Sequence, residues 1–230
     1  TLIHAAMGSS PRLYKWVPIL SRDFRVVRPD MRGHGETQIP GPDQLSLTRL
    51  TQDVIELADH LGLERFHLAG SSAGSIVAMR TAIDYPERVI TLANFASTPG
   101  LKPSNIDMNK WVRGIRAKGF KAFLEETIEE RFPNVQHKGF LKWFVEESAK
   151  TDVDLFARFG PMMKEVDFTA DLHRIRCPML NVMPGHDPLG SKAQYEVYKE
   201  HVPGSEYLWY DGLPHNITDS VPERCANDLL

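Results

Sequence analysis

Gly70-x-Ser72-x-Gly74 follows a strand-like stretch at 65–69, with Phe66 and Leu68 apolar, and precedes a stretch carrying Ile76, Val77, Met79, Ala82 and Ile83. A serine hydroxyl on a sharp strand-to-helix turn needs neighbours without side-chain bulk two residues to either side. The helix start beside it also favours developing negative charge. The two glycines are symmetric about Ser72 and select it over Ser71 and Ser75. A capping serine in a Gly-rich turn would show the same residues, so the partners decide. Serine is hardly ionised at neutral pH and needs a base, which in turn needs an orienting carboxylate. Asp187, in Pro184-Gly185-His186-Asp187-Pro188, and His215, in Gly212-Leu213-Pro214-His215-Asn216, each follow a predicted strand and complete the order serine, acid, histidine. Alone, they would read as an Asp-Pro turn and a solvated loop histidine. In this order, at strand-end loops where open α/β sheets place ligands, they are the predicted acid and base. Asp211 is the alternative acid, but it precedes His215 by only four positions.

A nucleophile attacking a carbonyl also needs donors aimed at the oxyanion. The Ala73 amide, next after Ser72, supplies one, and the loop 4–8 should supply another, from Ala6. His34, in Asp30-Met31-Arg32-Gly33-His34-Gly35, is expected to organise a loop near the site. His60, His67, His137, His173 and His201 are expected at the surface. His186 could in principle join Asp187 and His215 around a metal, but the serine constellation accounts for two of the three, so neither metal nor cofactor is expected.

Strands must carry these residues. Residues 2–4 read as the end of a buried strand, 12–20 as a helix, and 25–28 as a short strand around Val26 and Val27. A helix from Thr48 has Leu50, Val54, Leu57, Ala58 and Leu61 on one face, and Gly62 stops it. Strands follow at 65–69, 89–95, 178–182 and 206–210, with helices at 191–201 and 222–230. Strand and helix alternate with short links, which predicts a mostly parallel sheet with helices on both faces. Residues 98–170 break the alternation. They show only helical patterns rich in Lys, Glu and aromatics, including Trp111, Phe120, Phe123, Phe132, Phe140, Trp143, Phe144, Phe156 and Phe159. They are read as an inserted helical cap on a core of residues 1–97 and 171–230, its aromatics packing on one another with some facing a cavity below.

Composition fits this reading. The 230 residues, 42% hydrophobic and 25% charged, can bury about 70% of the unfolded chain's surface, enough for one core. A net charge of −3 gives no basic footprint for nucleic acid, and no apolar run reaches membrane-spanning length. With no signal-like start, the expected location is cytoplasmic. Cys177 and Cys225 lack metal or disulfide-framework spacing and are expected to be small buried hydrophobes.

Together, 4–8 with Trp16, the Asp30 to Gly35 loop, the Ser72 elbow and the Asp187 and His215 loops resemble the α/β-hydrolase superfamily. The likeness is to its small capped enzymes, such as 3-oxoadipate enol-lactonase-like hydrolases, carboxylesterases and C–C bond hydrolases. The resemblance spans essentially the whole chain and implies a serine hydrolase of esters, lactones or activated carbonyls. A serine nucleophile separates the chain from relatives that attack through a carboxylate. C–C bond cleavage of a dienoate-type diketone is an alternative that would want a cation near the pocket; Arg113, Arg116 and Lys118 are candidates, although a solvated helix face is the simpler reading of them. A ligand-binding protein on the same fold is another. The expected partner is a small molecule, and homo-oligomerisation is left open. Relatives usually carry a leading β-hairpin and a longer last helix. A trimmed sheet is therefore expected, with the strand at 2–4 third in the full fold; were the chain complete, its edge near Leu2 would be bare.

Overall fold

β1 (Leu2–Ile3), β2 (Phe66–Ser71), β3 (Val89–Phe95), β4 (Met179–Pro184) and β5 (Glu206–Tyr210) lie side by side in that order, all parallel, in a computed structural model that describes residues 1–133 and 137–230. Parallel neighbours cannot be joined by tight hairpins, so each link crosses over through helix. A 3₁₀ segment (Ser10–Trp16), α1 (Val17–Leu20) and α2 (Leu47–His60) separate β1 from β2, α3 (Ala73–Asp84) joins β2 to β3, and α8 (Lys192–His201) joins β4 to β5. After β5 come α9 (Ile217–Ser220) and α10 (Pro222–Asn227). Leu50, Val54, Ile76, Met79 and Tyr198 from α2, α3 and α8 belong to one buried cluster. Leu13, Trp16, Leu20, Ile217 and Cys225 belong to another, with Phe95 and Val182 from the sheet. Their segregation puts helices on both faces of the sheet.

Between β3 and β4 run α4 (Met108–Glu126), α5 (Ile128–Arg131), α6 (Lys138–Ser148) and α7 (Val153–Lys164). Gly119, at φ +80, breaks α4 into two pieces. A third cluster, with Ile115, Phe120, Leu124, Val145 and Phe156, packs these helices on one another and reaches Met7 in the loop after β1. Two ends are set locally: Ser46 caps α2 by accepting from the Arg49 amide, and Gly62 follows it at φ +69, as the spacing predicts.

Two expectations need correction. Residues 25–28 do not form a strand, although the Leu2 N–H donates to the Val27 carbonyl at 2.8 Å. Cys177, just ahead of β4, is half-buried, whereas Cys225 is buried as expected. No described helix is long and apolar enough to cross a membrane.

Candidate active site

The carboxyl ends of β2, β4 and β5 bring the three predicted residues together. Ser72 directly follows β2 and has φ 51 and ψ −115, a conformation that non-glycine residues rarely adopt. Its N–H donates to the Phe95 carbonyl at 2.8 Å, which fixes the turn against β3. The flanking glycines are there for space. A Cβ on Gly70 would lie 2.4 Å from the Gly74 backbone, and one on Gly74 would lie 2.3 Å from the Ile3 carbonyl oxygen. The neighbouring hydroxyls are engaged elsewhere: Ser75 donates to the Gly70 carbonyl at 2.5 Å, and Ser71 pairs with Thr218 at 2.9 Å.

Asp187 and His215 are aligned by the parallel pairing of β4 and β5. Beyond the Pro184–Tyr210 register, the Gly185 and His186 amides donate to the carbonyls of Tyr210 and Leu213, so the two loops leave the sheet already tied together. A Cβ on Gly185 would sit 2.8 Å from the Asp211 Cα, so glycine permits this approach. Asp211 itself is exposed, which removes it as the alternative acid.

His215 Nδ1 lies 2.9 and 3.1 Å from the two Asp187 oxygens, and Nε2 lies 2.9 Å from Ser72 Oγ. An ionised carboxylate can only accept, so Nδ1 carries the proton and donates it, leaving the Nε2 lone pair to accept from Ser72. Burial alone would push the Asp187 carboxyl up. The charge of His215 and hydrogen bonds from His215, Tyr195 and the Leu189 amide outweigh it and hold the carboxyl below its ordinary value. Tyr195, on α8, was not foreseen. Burial and the Asp187 charge push its hydroxyl well above its ordinary value, so it stays protonated and donates to Asp187.

The segment just after His215 is anchored under the site. Arg12 makes a two-pronged pair with Asp219 on α9, at 2.8 and 2.5 Å, with both side chains buried. Trp16 Nε1 donates to the Thr218 carbonyl at 3.4 Å. The Asp30 to Gly35 loop is tied to the loop after β1. Met31 N–H donates to His4 Nε2 at 2.9 Å while His4 Nδ1 donates to the Ala5 carbonyl at 2.8 Å, and His34 packs against His4 and Phe159. Burial and then the His34 charge pull His4 down to about 3, and burial pulls His34 down to about 4. Both are neutral at pH 7.

Ala6 and Ala73 line the same cavity as Ser72. Ala73 is the first residue of α3, so its amide is one of the donors a helix start leaves without an internal partner. Apolar groups supply most of the remaining wall, with Trp111, Phe144, Phe156 and Phe159 coming from the helices between β3 and β4. Arg113, Arg116 and Lys118 are exposed and paired with Asp107, Asp154 and Glu126; Arg113 and Arg116 belong to the solvated face, whereas Lys118 lines an outer cavity that shares Trp111, Arg131 and His215 with the Ser72 cavity. The cations that do reach the Ser72 cavity are Arg12 and Arg131. His186 is exposed, and the described residues hold no group of three or more His, Cys, Asp or Glu placed to bind a metal ion.

A family model described as "alpha/beta hydrolase fold" matches residues 2–139. A pimeloyl-acyl-carrier-protein methyl ester esterase of Aeromonas hydrophila is 29% identical over 225 residues, covering 90% of this chain and 84% of that protein. The 3-oxoadipate enol-lactonase 1 of Acinetobacter baylyi is 24% identical, covering 90% and 78%. Among solved structures, the enol-lactonase from Burkholderia xenovorans LB400 superposes with a TM-score of 0.86 at 21% identity, over 99% of this chain and 88% of that one, which speaks for the fold.

Proposed function

The chain belongs to the α/β-hydrolase fold family, and from that premise we propose that it is a serine hydrolase cleaving an ester, lactone or activated carbonyl. The observation that carries the reading is the hydrogen-bonded line from Ser72 through His215 to Asp187, at 2.9 Å on each side of the imidazole, opening into an apolar cavity. Relatives named as an ester esterase and an enol-lactonase support the same class.

In this mechanism Ser72 Oγ attacks the carbonyl carbon as its proton passes to His215 Nε2. The carbonyl π electrons move to oxygen, which the Ala73 and Ala6 amides face, with the N-terminal end of α3 adding favourable potential. Asp187 stabilises the imidazolium without taking its proton. The tetrahedral centre collapses, and the departing oxygen takes the proton from His215, leaving an acyl group on Ser72. Water then gives a proton to His215 and attacks the acyl carbon; Ser72 leaves with that proton and the acid is released. Residues 98–170 act as the cap on a core of 1–97 and 171–230, and the aromatic residues they place in the cavity govern which substrates fit.

The reading is tested with short and long acyl esters, an enol-lactone and a vinylogous diketone. Ester or lactone turnover that disappears in Ser72→Ala is the expected result. Turnover of the diketone alone would move the protein to C–C bond cleavage, and turnover that survives in Ser72→Ala would overturn the proposal.

A further inference from the structure

Arg131, the last residue of α5, and Ser148, the last of α6, line the Ser72 cavity but have no part in the proposed chemistry. Ser148 is wholly buried, and its Oγ has no hydrogen-bond partner among the described residues. A buried hydroxyl left this way is costly unless something in the cavity meets it. Among the described residues Arg131 commits Nε, to Thr127 Oγ1 at 3.0 Å. Among the described residues its two terminal nitrogens have no acceptor and no carboxylate at ion-pair distance, and the side chains of residues 134–136, Asn, Val and Gln, include no carboxylate.

Arg12 is on the same wall, with its guanidinium 4.5 Å from the centre of the Phe144 ring, and Phe144 is one helical turn before Ser148. Arg12 is neutralised by Asp219, and Asp187 is engaged by His215 and Tyr195. Burial, and then the positive charge of Arg12, lower the Arg131 guanidinium to about 10; Glu130 offsets this only in part. The group is therefore charged at neutral pH. Asp219 neutralises Arg12, which leaves the Arg131 charge without an ion-pair partner among the described residues, and the unpaired Ser148 hydroxyl lines the same cavity.

We infer that this wall binds a carboxylate at the far end of the substrate, gripped by the Arg131 fork with the Ser148 hydroxyl donating to it. A planar guanidinium presents two parallel N–H groups that match a carboxylate. One uncompensated charge suits a monoanion better than a phosphate dianion. The substrate is then an ester or lactone ending in a carboxylate. The inference rests on the hydrolase reading for the ester end, whereas the carboxylate end can be tested by binding alone.

Calorimetric titration of Ser72→Ala with monomethyl and dimethyl esters of dicarboxylic acids, from glutarate to suberate, avoids turnover. At least one monoester should bind about tenfold or more tightly than its diester, as expected for charged hydrogen bonds. Adding Arg131→Met should bring the two affinities together, with melting curves confirming that the variant is folded. Arg131→Lys, which keeps the charge without the fork, should narrow the preference several-fold, as should Ser148→Ala. No monoester preference at any length, or a preference unchanged by both Arg131 substitutions, overturns the inference. Labelling of the wild-type protein by a fluorophosphonate separates the two readings. Labelling without a monoester preference removes the carboxylate subsite alone. A preference lost with Arg131, in a protein that does not label, keeps the subsite and removes the hydrolase.

Discussion

Ser72 and the residues that support its chemistry are joined to one another, whereas on the wall built from α5 and α6 two groups keep donors without an acceptor among the described residues. Ser71, Ser75, Asp187, Tyr195, His215, Arg12 and Asp219 are each hydrogen-bonded to a group within the protein. Among the described residues Arg131 and Ser148 have donors without an acceptor, and both line the same cavity. Glycine tells the same story. Gly70 and Gly74 occupy places where one extra carbon would strike backbone, while nothing lies within 4 Å of a Cβ on Gly119. The sheet edge is built to hold one geometry, as bond-making chemistry requires. The helical segment keeps donors free for a ligand to satisfy, which is how a binding surface gains discrimination.

The contrast can be broken most severely at the sheet edge. Asp187→Asn should reduce kcat by about 10³- to 10⁴-fold with the fold intact, because the amide no longer fixes Nδ1 as the donor; steady-state kinetics beside a melting curve checks both. Asp219→Asn leaves the buried Arg12 charge without its counter-ion and should cost about 3–5 kcal/mol in urea unfolding.

A smaller effect comes from the two buried histidines. In the unfolded chain they bind protons below about pH 6.5. The folded protein keeps His4 and His34 neutral down to about 3 and about 4. The unfolded state therefore binds more protons in that interval, and stability, complete above pH 6.5, falls as the pH drops. At pH 5 the loss should be about 2 kcal/mol for each histidine. Urea unfolding at pH 7 and pH 5 should show the loss, and His34→Gln should remove about half of it. The smallest effect belongs to the helical segment. Gly119→Ala has open space but a φ of +80, and should cost only about 1 kcal/mol, whereas Gly74→Ala should cost several times that.

Ser72, Asp187 and His215 were legible in the sequence because each ends or follows a strand and the turn residues beside them announce it. The strand boundaries were readable for the same reason; 89–95 and 206–210 coincide with β3 and β5. Tyr195, Asp219 and Arg12 were not legible as supports. Arg12 and Asp219 are 207 positions apart, and no local pattern links them. The cavity cation was also missed. Arg113, Arg116 and Lys118 stand on a long helix whose periodicity cannot say which polar residues turn toward a cavity, and Arg131 closes a helix too short to show a period.

The central claim is that Ser72 is the nucleophile, and covalent labelling tests it most directly. Intact-mass analysis after treatment with a fluorophosphonate, followed by peptide mapping, should find one adduct, on Ser72, absent from Ser72→Ala and formed far more slowly in Asp187→Asn. An unlabelled wild-type protein, or equal labelling of Ser72→Ala, would contradict the account.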